Sequence, residues 1–130
     1  MMLNFAEHNN WILQNLGLKE LDIQSNFQVF SLNLQQMEIL LEKGYLEIDK
    51  SLAPLNNEVF QQIQSLRKEC EIEFKGYVLL EENIINIDTI NIKGNIPRKI
   101  VEYWLKIILA TKPKDFKISS KRISVWWSEV

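Results

Sequence analysis

The stretch EIEFKGYVLLEENIINIDTINIKG, residues 71–94, constrains this chain more than any other. Ile72, Phe74, Val78 and Leu80 fall on one side of an extended backbone, and Tyr77 and Leu79 fall on the other. Glu81, Glu82 and Asn83 interrupt the run and supply a turn, so the two halves read as an antiparallel hairpin. The return strand carries a fault in its rhythm. Ile85 and Ile87 alternate, but Ile90 and Ile92 repeat in the opposite phase. One extra residue, a β-bulge near Asp88-Thr89, puts all four on one side. Such a hairpin is apolar on one face and requires helices to cover it.

The rest of the chain supplies them. A first helix runs from about Asn4 to Leu16, with Gly17 past its end and Phe5, Ile12, Leu16 and Trp11 on its apolar side. SNFQVFSL follows as a short extended piece. NLQQMEILLEKG reads as a helix capped by Asn33 and stopped by Gly44, with Leu34, Met37, Leu40 and Leu41 on one buried face. YLEID alternates and forms a short strand. Leu55, Val59, Ile63, Leu66 and Cys70 then make the stripe of another helix.

NIPRKIVEYWLKIILA is the most hydrophobic helix, capped by Asn95 or Ile96, with Pro97 in its first turn. Ile100, Trp104, Ile107 and Ile108 form its central stripe, which Val101 and Leu105 widen. That breadth suits a helix lying on a sheet between neighbours. FKI and RISVWW supply the terminal strands. The sum is an α+β fold, a mostly antiparallel sheet with helices packed mainly on one face, as a single domain over residues 1–130.

Composition narrows the chemistry. The chain has one cysteine, Cys70, and one histidine, His8, so neither an internal disulfide nor a cysteine-based metal site can be assembled. It lacks GxGxxG, Walker A and HExxH patterns, and four glycines are few for a loop that cradles phosphate. Glu38 and Glu42, one helical turn apart, and the adjacent Glu81 and Glu82 are better placed for solvation than for acid–base work. A non-enzymatic protein without cofactor or metal is the expectation. The opening MMLNFAEHNN lacks the basic and apolar regions of a secretory signal. YWLKIILA is too short to span a membrane and is broken by Lys106, so a cytoplasmic location is expected.

Charge and aromatics indicate where a partner would sit. Through residue 92 there are 14 acidic and 6 basic residues, and from Lys93 onward 3 acidic and 9 basic. Lys112, Lys114, Lys117, Lys121 and Arg122 surround Trp126 and Trp127. Basic residues mixed with aromatics can grip a nucleic-acid strand, but a net charge of −2 and an acidic first part make nucleic acid an unfavoured partner. In a strand, Trp126 and Trp127 must point opposite ways. If Ile123, Val125 and Trp127 face the helices, then Arg122, Ser124 and Trp126 face outward. Trp126, Arg122, Tyr77 and Leu79 would then form a protein-binding surface with the composition of an interface hot spot. Two other coverings compete for that surface: the chain's own first helix, or a second copy in a homodimer.

The segments WILQNLGLKEL, LLEKGYLEID, LNNEVFQQIQSLRK and RKIVEYWLKIIL, in that order around a hairpin, resemble one unit of the EspG-like export chaperones of type VII secretion. Those proteins carry two such units, and this chain has one; a homodimer would restore the other. The resemblance implies a cytoplasmic chaperone or targeting factor that holds a helical secretion substrate through apolar contacts. The rival expectation is an immunity protein that blocks a toxin by charge steering, with Glu38, Glu42, Glu47 and Asp49 as its acidic surface.

Overall fold

A computed structural model describes residues 27–42, 53–79 and 84–127. The first helix, Gly44, the YLEID strand with Glu47 and Asp49, His8, and the 81–83 turn lie outside the described residues. Within them the order is β1 (Phe27–Asn33), α1 (Leu34–Glu42), α2 (Asn57–Gln64), β2 (Cys70–Leu79), β3 (Ile84–Gly94), α3 (Arg98–Thr111), β4 (Asp115–Ile118) and β5 (Arg122–Trp126).

The strands form one sheet in the order β1-β2-β3-β5-β4, with every neighbouring pair antiparallel. The β2–β3 hairpin is its centre. Lys75 faces Thr89 and Gly76 faces Ile87, which leaves Asp88 as the extra residue. This is the bulge that the broken alternation requires, and it lets Ile87, Ile90 and Ile92 all be buried. Its carbonyl is also used: Asp88 O accepts the Trp127 N–H at 2.8 Å and so pins the end of β5. Gly76 sits at the same irregularity, where a Cβ would meet Asn86 O at 1.9 Å, so no other residue fits there without movement.

Register extends the apolar face across all five strands. Leu32, Phe74, Ile90, Val125 and Phe116 lie side by side in one row, and Ile72, Ile92, Ile123 and Ile118 in the next. Onto these rows pack Leu34, Met37 and Leu40 of α1, Val59, Phe60 and Ile63 of α2, and Ile100, Trp104 and Ile108 of α3, as a single core cluster. Burying each large apolar side chain contributes roughly 1.5–3 kcal/mol.

Local capping explains where the helices start. Asn33 Oδ1 accepts the Gln36 N–H and Gln36 Oε1 accepts the Asn33 N–H, both at 2.9 Å, a reciprocal capping box at the head of α1. Asn56 Oδ1 caps α2 by accepting the Val59 N–H at 2.9 Å. The expected cap of α3 needs correction. Neither Asn95 nor Ile96 caps it; Pro97 is the cap residue, without a side-chain hydrogen bond. Ile96 is buried instead, and the Asn95 amide oxygen accepts from Lys121.

Two further expectations are corrected. The stripe from Leu55 to Cys70 is not one helix: α2 ends at Gln64, a turn follows, and Cys70 opens β2. Leu66 still reaches the core from that turn. Leu105 does not widen the buried side of α3; it is 40% exposed, because Tyr103, Ile107 and Val101 take the flanking positions. α3 closes on Lys112 in the left-handed region (φ 49°), whose N–H bonds Ile108 O at 3.0 Å.

Candidate functional site

The sheet has a second face, and it is built by the residues that alternate with the core rows. One outer row holds Ser31, Lys75, Thr89, Trp126 and Asp115; the next holds Asn33, Glu73, Asn91, Ser124 and Lys117; Glu71, Lys93 and Arg122 follow. Every one of them is exposed or half-buried.

The paired tryptophans divide between the two faces. Trp127 is buried against Trp104, ring centroids 6.4 Å apart, and its indole Nε1 donates to Thr111 Oγ1 at 2.9 Å. Trp126 points the other way and stays half-buried, between Thr89 and Asp115 in register, with Lys114 Nζ 4.9 Å from its ring centroid. Arg122 lies on the same side of the same strand, two outward positions away. Around them Asp115, Lys117, Ser124 and Trp126 line a shallow hollow of about 200 Å³.

A polar relay crosses the middle of this face. Ser31 Oγ donates to Glu73 Oε2 at 2.7 Å, Asn91 Nδ2 donates to Glu73 Oε1 at 2.9 Å, and Ser124 Oγ donates to Asn91 Oδ1. Four strands are thereby tied through side chains. The hydrogen bonds from Asn91 and Ser31, with the positive charges of Lys75 and Lys93, hold the Glu73 carboxyl below its ordinary range against the opposing effect of burial. A second hollow of about 300 Å³ lies beside the relay, lined in part by Asn33, Glu71, Glu73 and Lys93.

The other expected site residues divide. Tyr77 is half-buried on β2, opposite Asn86, and β3 lies between it and Trp126 on β5. Leu79 closes β2, paired with Phe27 and Ile84, and its side chain lies outside the described residues. Glu38 joins two elements: it accepts from Gln64 Nε2 at 2.9 Å and pairs with Arg67. The Arg67 hydrogen bond, helped by Gln64, lowers its carboxyl. Glu42 is exposed at the end of α1. Cys70 is half-buried, its thiol pushed up by burial and then by Glu69, which disfavours a nucleophilic thiolate. Among the described residues no group of three metal-binding side chains converges, and no helix is long and apolar enough to cross a membrane.

The relay of Ser31, Glu73 and Asn91 escaped the sequence reading. Its signal was present: polar residues alternate with Ile72 and Phe74 on β2 and with Ile90 and Ile92 on β3. Only the register shows that they meet.

Compared with protein-family models, with curated proteins and with solved structures, the chain matches none.

Proposed function

We propose that this chain is a non-enzymatic protein-binding module that receives its partner on the open face of the sheet, with Trp126 and Arg122 at the contact. The single observation that carries this reading is the opposite fate of two adjacent indoles: Trp127 enters the core while Trp126 is left on a polar face. An aromatic ring and an arginine among small polar side chains, already held rigid by strand pairing and the relay, suit a recognition surface with little ordering cost. The acidic alternative is less supported, since Glu38 is already engaged by Arg67 and Gln64. Following the resemblance to export chaperones, the partner is a helical secretion substrate, and the role is that of a chaperone or targeting factor.

The test compares wild type and Trp126→Ala as baits in cell lysate, with folding of both checked by circular dichroism. A partner retained by wild type and lost by the variant supports the reading. Identical capture by both removes Trp126 from recognition. Identification by mass then separates a helical secreted protein from a toxin domain, and strong weakening in moderate salt would favour the toxin.

A further inference from the structure

A second surface lies at the edge of the sheet. Among the described residues no strand pairs with the outer side of β4. Ser119 N–H donates to Arg122 O at 2.8 Å. In the alternating pattern of antiparallel pairing, Lys117 then bonds to β5 while the backbone groups of Phe116 and Ile118 point out of the edge. The Phe116 N–H is covered there by its neighbour, donating to Asp115 Oδ1 at 2.9 Å.

The two sides of this edge differ in chemistry. On the core side stand Phe116, 47% exposed, and the half-buried Ile118. α3 packs on β4 and β5 above them. Tyr103 of α3 meets Glu58 of α2, so Leu105 lies on the opposite flank of the helix, toward β4, and the 76% exposed Leu109 lies further round toward solvent. On the outer side stand Asp115 and Lys117, with Lys114 and Arg122 beside them. A helix laid along the edge would use one of these sides. An extended strand presents alternate residues to both.

We propose that the outer edge of β4, unpaired among the described residues, is a second interaction site, which accepts an extended segment of a partner protein whose residues alternate apolar and acidic. The apolar set packs on Phe116, Ile118 and Leu105, and the acidic set meets Lys117 and Arg122. Lys114, Lys117 and Arg122 outnumber Asp115 along this rim, which favours an acidic strand over a basic one. Asp115 guards the site. It occupies the Phe116 N–H and opposes an acidic strand, and it must swing aside on binding. This site shares Arg122 with the open-face reading, but it requires neither Trp126 nor a helical partner.

The probe is a short peptide alternating valine and glutamate, added to the full chain, with an alternating valine–lysine peptide as control. Amide exchange read by NMR should show the Ile118 N–H slowed roughly tenfold or more by the acidic peptide, as an edge amide becomes a ladder amide. Asp115→Ala should tighten binding roughly three- to tenfold, by freeing a donor and removing a like charge. Asp115→Asn still covers the donor and should tighten it less. The proposal is overturned by an Ile118 amide indifferent to saturating peptide, by equal binding of the lysine peptide, or by weakening in Asp115→Ala. A free chain that dimerises with Ile118 already protected would assign the edge to a second copy and overturn it as well.

Discussion

Trp126 and Trp127 are neighbours in sequence and share a side chain, yet they belong to different environments. Trp127 has its ring against Trp104 and its N–H on Thr111. Trp126 has a lysine ammonium over its ring and polar neighbours on either side in register. The same division runs through the whole sheet. The core face is two unbroken rows of aliphatic and aromatic residues, held by burial. The open face is a grid of serine, asparagine, glutamate and lysine, held by hydrogen bonds that solvent can compete for. A strand can therefore carry stability on its odd residues and recognition on its even ones, and the two roles should separate on mutation.

The largest expected effect lies on the core face. Trp127→Ala should destabilise the fold by about 3–5 kcal/mol, read as a lower urea midpoint at unchanged slope. A loss under 1 kcal/mol would break the comparison, because Trp127 would then be as dispensable as a surface residue. Next comes the bulge, where both faces meet. Gly76→Ala should cost about 3 kcal/mol, since the added methyl collides with the Asn86 carbonyl, a backbone atom that cannot rotate away. It should also disturb partner binding, unlike a pure core change.

Trp126→Ala is expected to be the mirror image of Trp127→Ala. Partner binding should weaken by about 2 kcal/mol, while stability changes by under about 1 kcal/mol because the ring is only half-buried. Paired isothermal titration and urea unfolding on one preparation would show both. The smallest effect concerns Glu73. Its folded pKa is lowered, so its contribution is present above the unfolded carboxyl value of about 4.3 and is lost as pH falls through the folded value. Glu73→Gln should flatten that acid limb of stability only slightly, since the side chain is 43% exposed and screened by water.

Much of this division is legible in the residues themselves, and the reason is periodicity. The phase break between Ile87 and Ile90 can be satisfied only by an extra residue, and Asp88 is that residue. Alternation through Ile123 and Val125 separates Trp126 from Trp127 without any knowledge of their surroundings. Asn33 before an apolar helix face announces its cap. What stayed hidden depends on long-range pairing. Nothing local says that β5 inserts between β3 and β4, which brings Ser124 to Asn91 and Asn91 to Glu73. Nor does local pattern reveal that Glu38 is engaged by Arg67, or that Tyr77 is separated from Trp126 by a strand. Leu105 looked like core because leucine on a hydrophobic helix usually is. It is exposed because Tyr103, Ile107 and Val101 take the flanking positions of α3.

The most direct test of the two-faced sheet is solvent exchange at the indole N–H groups, resolved by NMR and assigned by single Trp→Phe variants. The account predicts that the Trp127 indole exchanges slowly, held by Thr111 within the core, while the Trp126 indole exchanges at close to the rate of a free side chain. A Trp126 indole protected as strongly as that of Trp127 would contradict it, for then both faces of the sheet would be sealed.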